Sequence, residues 1–215
     1  DKNVVQDSTF TSAGAGVQAI VVNAASDNIL RRLYARNPAA DAIYLVNAAR
    51  NQIERSTFTT NSGYRAVYSY NSSSNTYDVI LASNPSGAAV LFYAGRNNTV
   101  SLSTMAGSPA FNASDSDSNT VTGSYLWSAA FFAAQFDTTA DNNAIRLSTM
   151  ASGAGGYAAL YITNSSSNAV SGSYVFNSAG PGAHLTNGAS SNTIASSYIS
   201  APANYGVIIN VNAGG

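Results

Sequence analysis

Apolar and polar positions alternate over short runs in this chain, break off at turns, and then repeat about every two dozen residues. An asparagine marks each repeat: Asn3, Asn28, Asn51, Asn75, Asn98, Asn119, Asn143, Asn168 and Asn192, in steps of 25, 23, 24, 23, 21, 24, 25 and 24 residues. Two places after each comes an apolar or aromatic residue: Val5, Leu30, Ile53, Tyr77, Val100, Val121, Ile145, Val170 and Ile194. Five places after comes a small or apolar one, most often serine, as at Ser56, Ser103, Ser124, Ser148 and Ser173. Seven places after comes a mostly apolar one: Phe10, Ala35, Phe58, Ala82, Met105, Leu126, Met150, Val175 and Ile199. The alternation from five to seven has the period of a strand, whose neighbouring side chains point to opposite faces. A turn-forming stretch rich in Gly, Ser, Ala and Pro follows, such as Ser83-Asn84-Pro85-Ser86-Gly87. Then a second apolar strand comes, as at Ala19 to Val22, Ile43 to Val46, Val67 to Tyr70, Val90 to Tyr93, Leu160 to Ile162 and Val207 to Ile209. It tends to close on another Asn or Asp, among them Asn23, Asn47, Asn71, Asp137, Asn164, Asn187 and Asn212.

Two or three short strands per repeat, with no helical period between them, predict an all-β fold: a parallel β-helix, or β-solenoid, of about nine rungs of 21–25 residues. Each strand pairs with its copy one turn later, at a rise of about 4.8 Å per rung. Because the repeat runs the length of the chain, residues 1–215 read as one domain. The ladder asparagines are expected to be structural. They tolerate the left-handed backbone region at a bend, and their amides can bond to the copies above and below. Rungs carrying Ser-Thr-Phe or Ser-Thr-Met begin at Asn3, Asn51, Asn98 and Asn143, which suggests duplication of a two-rung unit.

Asn119-Thr-Val-Thr-Gly-Ser-Tyr125 and Asn192-Thr-Ile-Ala-Ser-Ser-Tyr-Ile199 resemble the coil of the right-handed parallel β-helix repeat family. The resemblance covers essentially the whole chain. It implies the fold, and extracellular or polysaccharide-facing work, because that family includes pectin-active enzymes, surface adhesins, phage tailspikes and carbohydrate-binding proteins.

Composition narrows the functions further. Only 9% of residues are charged, the net charge is -1, and Lys2 is the sole lysine. Nucleic-acid binding needs a clustered basic surface and is excluded. Absence of cysteine removes disulfides, thiolate catalysis and zinc-thiolate sites. No apolar run approaches the roughly 20 residues that span a bilayer. Asn-x-Ser/Thr sequons at Asn71, Asn97, Asn112 and Asn164 fall in or near turns. Together these traits point to an extracellular or cell-surface protein, and Asp1 reads as a possible mature terminus left by cleavage.

Candidate chemistry is sparse. Asp115 and Asp117 precede one ladder asparagine, and Asp137 and Asp141 precede the next. Stacked, these four would offer oxygen ligands to Ca²⁺; otherwise they form a solvated turn, and no other cofactor is expected. Arg31, Glu54 and Asp78 share an outward column with Arg146 and read as a charge ladder. Arg31, Arg32, Arg36, Arg50, Arg55 and Arg65 crowd the first rungs, while the acidic turns lie toward the other end. His184 is the only histidine and lacks the partners of a triad. Gly14-Ala15-Gly16-Val17-Gln18-Ala19 imitates a dinucleotide fingerprint, but a strand follows it rather than a helix. Acids and bases do not converge on one face, so the chain is expected not to be an enzyme.

Two rows of outward aromatics remain: Tyr34, Tyr125, Tyr174 and Tyr198 in one, and Tyr44, Tyr68, Phe92 and Tyr161 in the other. Such rows can pack on a neighbouring molecule or stack on sugar rings. The leading expectation is a structural protein that assembles with copies of itself into a fibre, sheath or coat. Its motive is a repeat that starts at Asn3 and stops at Asn212-Ala-Gly-Gly215 with no capping helix. A carbohydrate-binding or adhesin module comes second, and a polysaccharide-degrading enzyme third.

Overall fold

The computed structural model describes residues 1–210; Asn212 and the Asn212–Gly215 end lie outside the described residues. Successive turns of the chain wind into a parallel β-helix with three strand-bearing faces. One turn shows the pattern. Gln52–Glu54 lies on the first face, Thr57–Thr59 on the second and Val67–Tyr70 on the third. In the first two turns the first- and second-face strands run together as Val4–Thr11 and Ile29–Arg36. Among the described residues, first and second faces therefore join in one 16-stranded sheet, and the third face is a separate sheet of nine strands. All pairing is parallel and in register, so that Ile53 sits beside Leu30 and Tyr77. Third-face strands Phe111–Ser114, Ala134–Asp137 and Ala183–Thr186 join those the sequence pattern marks.

The inward columns are the expected ones. Ile53, Phe58, Val100, Met105, Leu126, Ile145 and Met150 are fully buried, with Ile43, Val67, Val90 and Leu160 facing them from the third sheet. Burying side chains of this size contributes roughly 1.5–3 kcal/mol each. Three polar ladders run beside this core. In the first, an asparagine Oδ1 accepts the backbone N–H of the asparagine one rung earlier and, except at Asn168, its side-chain amide too, as Asn119 does from Asn98 at 2.9 and 3.1 Å. In the second, a serine Oγ accepts the N–H of its counterpart one rung earlier and donates to the carbonyl two residues before it, as Ser103 does with Ile80 and Ser101. The third holds the turn after the second face: buried Asn84 donates to the Tyr64 and Ala88 carbonyls, and Asn177 to those of Tyr157 and Pro181.

The ladder asparagines are not themselves left-handed. That conformation belongs to the residue just before each, such as Asp27, Arg50, Ser74 and Asn97, and to the bend between the first two faces, as at Arg55, Val79 and Leu102. Asn47, Asn71, Asn164 and Asn187, which close third-face strands, are left-handed. Phe92 also departs from the expected arrangement. It points inward, fully buried between Tyr77 and Phe111 at centroid distances of 5.4 Å, and Leu91 takes the outward place beside Tyr68. Val90-Leu91-Phe92-Tyr93 is apolar throughout, so its parity is set by pairing and not by alternation.

Rung length varies almost wholly at one corner. Asparagine and serine columns keep their five-residue offset, while the turn from second to third face lengthens or shortens. It is shortest between Ala106 and Phe111, where the step from Asn98 to Asn119 is 21 residues.

Candidate functional site: an aromatic notch on the second face

Most outward aromatics cover one another. Tyr174 stacks on Tyr198 at 5.5 Å and Tyr44 on Tyr68 at 4.9 Å, with ring planes 11° and 12° apart. Tyr70 and Tyr93 stack likewise at 5.7 Å, and Tyr161 lies flat on Phe132 at 4.3 Å with His184 edge-on to it. Parallel in-register pairing brings identical positions about 4.8 Å apart, so rings in one column close face to face and present mainly their edges to solvent. The Arg65 guanidinium caps Tyr68 at 3.7 Å and pairs with the buried Asp41 carboxylate at 3.2 Å. Burial raises the Asp41 pKa above the ordinary carboxylate value, with Arg65 opposing the rise. Burial also raises the Tyr44 and Tyr68 pKa values and lowers that of His184.

Tyr34 and Tyr125 share the expected column with Tyr174 and Tyr198, but Thr57, Leu81 and Thr104 separate Tyr34 from Tyr125, and Thr149 separates Tyr125 from Tyr174. The neighbouring outward column holds Trp127, which the sequence reading missed. Trp127 is the only tryptophan; it is 37% exposed and, like Tyr125, has no ring partner among the described residues. Its nearest column neighbours are small, Ser83 and Ala106 on one side and Ala151 on the other, with Phe176 the next ring two rungs on. The short turn at Gly107 and Ser108 falls back between the longer turns before and after it. The result is a notch of about 180 Å³ lined by Trp127, Ser83, Pro85, Ala106, Ser108 and Ala129. No charged residue lines it. Two signals mark it in the sequence: the shortest rung, and Tyr125-Leu126-Trp127, whose alternation turns both rings outward.

The other candidates are not brought together as sites. Among the described residues no group of three or more His, Asp or Glu could hold a metal ion, and Asp115, Asp117, Asp137 and Asp141 are not gathered into one. Their carboxylates serve as turn acceptors instead. Asp117 accepts the Asp141 N–H at 2.9 Å, Asp141 the Ser166 N–H, Asp137 the Gln135 amide, and Asp115 the Thr139 hydroxyl. Arg31, Glu54 and Asp78 do fall in one column, yet Arg31 turns back to the Gln6 amide and Asp78 accepts from Ser101. Arg32 and Arg50 pair with Asp7 and Asp27, holding both carboxyls below their ordinary pKa. Among the described residues Arg36 and Arg55 have no ion-pair partner, so the arginine crowd is half neutralised.

Comparison with known proteins bears on the coil. No curated protein matches the chain by sequence. Among solved structures, the coil is similar to DFA-IIIase from Arthrobacter chlorophenolicus A6 in complex with GF2, with a TM-score of 0.65 and 13% identity over 83% of this chain and 50% of that one. The chain thus spans half the length of that enzyme. The A-module of mannuronan C-5 epimerase AlgE4 from Azotobacter vinelandii matches over 99% of this chain and 81% of its own, at 10% identity and a TM-score of 0.32. The expectation that the chain is not an enzyme is overturned here, because the same coil serves as an enzyme scaffold in DFA-IIIase. At 13% identity the likeness shows the fold alone, and no residue of that enzyme is carried over. The family described as "Right handed beta helix region" matches residues 1–126, more than half the length. The chain therefore belongs to the right-handed β-helix family.

Proposed function

We propose that the chain binds a neutral polysaccharide, at the cell surface or outside the cell, by seating one sugar ring against Trp127. The observation that carries this reading is a single uncovered tryptophan beside a notch that exists because one rung is short. A sugar ring has an apolar face that suits an indole, and hydroxyls at its edge that suit Ser83 and Ser108. The lining carries no charge, which favours a neutral glycan over an acidic one. At about 180 Å³ the notch is smaller than the roughly 300 Å³ at which enclosed small-molecule sites begin, which fits one ring of a chain that continues across the surface. Tyr125, two residues earlier and unstacked, offers the next contact along the strand.

Because Trp127 is the only tryptophan, its fluorescence reports the site directly. Titration with neutral oligosaccharides should shift its emission to the blue and saturate. Trp127→Ala should weaken retention in polysaccharide affinity gels by about tenfold or more, equivalent to about 1.4 kcal/mol. Tyr198→Ala, which removes a ring already stacked on Tyr174, should leave retention within twofold. An emission spectrum unmoved by a panel of glucans, fructans and mannans would overturn the reading.

A further inference from the structure

The bend between the first and second faces carries a second feature, independent of the notch. Every residue at this bend is left-handed, a conformation that glycine and asparagine adopt with least strain. Four successive rungs place Leu102, Gly123, Leu147 and Gly172 there, preceded by Val79. The glycines suit the bend; the leucines and the β-branched valine do not. Nor does burial explain them, since Leu102 is 66% and Leu147 73% exposed. Each leucine bends over the glycine of the next rung. A Cβ on Gly123 would stand 3.0 Å from Leu102 Cδ2, and one on Gly172 3.0 Å from Leu147 Cδ2. Glycine thus leaves room for an apolar ridge, with Val79 and Leu81 continuing it toward earlier rungs.

The charges beside the ridge are arranged symmetrically about its middle. In the adjoining column Asp78 lies on the rung of Val79 and Arg146 on the rung of Leu147, with uncharged Ser101 and Thr122 between them. Among the described residues Arg146 has no ion-pair partner. A two-fold axis crossing the ridge between the rungs of Leu102 and Gly123 sets Leu102 of one copy opposite Gly123 of the other. It also sets Val79 opposite Leu147, and Asp78 opposite Arg146, twice over. One rung further out Glu54 meets Ser171 and, at the bend itself, Arg55 meets Gly172, so no like charges lie directly opposite in either column.

From this self-complementarity we infer that the ridge is the interface of an antiparallel homodimer, with a second copy of this chain as its partner. Exposed apolar surface backed by matched charge marks an interaction site, and an isologous contact needs this kind of symmetry. The test uses the 215-residue chain and analytical ultracentrifugation. The wild type should dimerise at micromolar concentration. Asp78→Arg and Arg146→Asp, each alone, should weaken the dimer roughly tenfold or more, because each sets like charges together at two places. Mixing the two variants in equal amounts should restore a dimer, since both contacts then join opposite charges. Leu102→Asn with Leu147→Asn should give a folded monomer, asparagine being suited to the bend; circular dichroism checks the fold. A wild type that stays monomeric at several hundred micromolar overturns the inference. So does a dimer that survives the asparagine changes, which would place the contact on another face, or a mixture that fails to reassociate.

Discussion

An asparagine inside the coil satisfies every polar atom of its side chain. Asn98 donates to Asn119 Oδ1 and to the Ser72 carbonyl, and its own Oδ1 accepts twice from Asn75 at 3.0 and 3.1 Å. Asn98 is fully buried, so water cannot replace what a substitution removes. Asn98→Ala leaves the Asn75 backbone N–H and one of its two amide N–H groups without an acceptor, the other keeping the Ala48 carbonyl, and should cost roughly 2–4 kcal/mol. Asn192→Ala removes the same two bonds from Asn168, but at a half-buried rung where solvent can enter, and should cost about 1 kcal/mol. Urea denaturation of the two variants compares them, and equal losses would mean that the ladder is not what burial protects. The asparagine spacing was legible in the sequence because one chemical type occupies all nine rungs. The left-handed position just before it was not, since Asp27, Arg50, Ser74 and Asn97 share no chemistry. Trp127 escaped notice for a related reason: Ser83, Ala106 and Ala151 flank it in its column and the other ring there, Phe176, is two rungs away, so no row of aromatics announces it.

At the scale of a face, the third sheet joins a stack of rings to one buried ion pair. The Asp41 pKa is raised, so between the unfolded value of about 3.9 and the folded value the native state binds the extra proton. Stability therefore declines as pH rises through that window and levels off above it. Arg65→Met removes the charge that opposes the rise. Asp41 should then titrate higher, the decline should extend to higher pH, and the variant should be less stable than wild type at neutral pH. Carboxyl NMR titration of Asp41 in both proteins, with urea midpoints from pH 3 to 7, checks this; an Asp41 pKa that stays put or falls in the variant would contradict it. Asp7 and Asp27 act in the opposite sense. Their lowered pKa values add stability above the unfolded value that is lost as pH falls, and exposed pairs of this kind contribute little. Strand alternation made the first and second faces readable residue by residue. On the third face a run such as Val90-Leu91-Phe92-Tyr93 hides its parity, and only pairing with Val67–Tyr70 reveals that Phe92 is core.

Across the whole molecule each turn touches only its neighbours, so stability is a sum of rung and interface terms. Hydrogen exchange of this chain should be slowest in the rungs from Asn75 to Asn168, where the ladder is nearly dry, and fastest around Val4 and Ile209, which are exposed. Mass-resolved exchange would show this as a gradient; uniform protection from first rung to last would indicate a single all-or-none unit. The fold was readable because nine copies of one pattern reinforce each other. The notch and the ridge were not, because each departs from the repeat at one or two rungs. The corner where rung length varies has a practical meaning. Insertions there, between second and third faces, leave the asparagine and serine columns in phase, whereas one residue added between Asn98 and Ser103 would turn every later side chain of that strand to the wrong side. A peptide spliced into this corner on successive turns would therefore stand in a row, spaced at about 4.8 Å per turn. The protein is in that sense a ruler, whose graduations are fixed and whose markings can be rewritten.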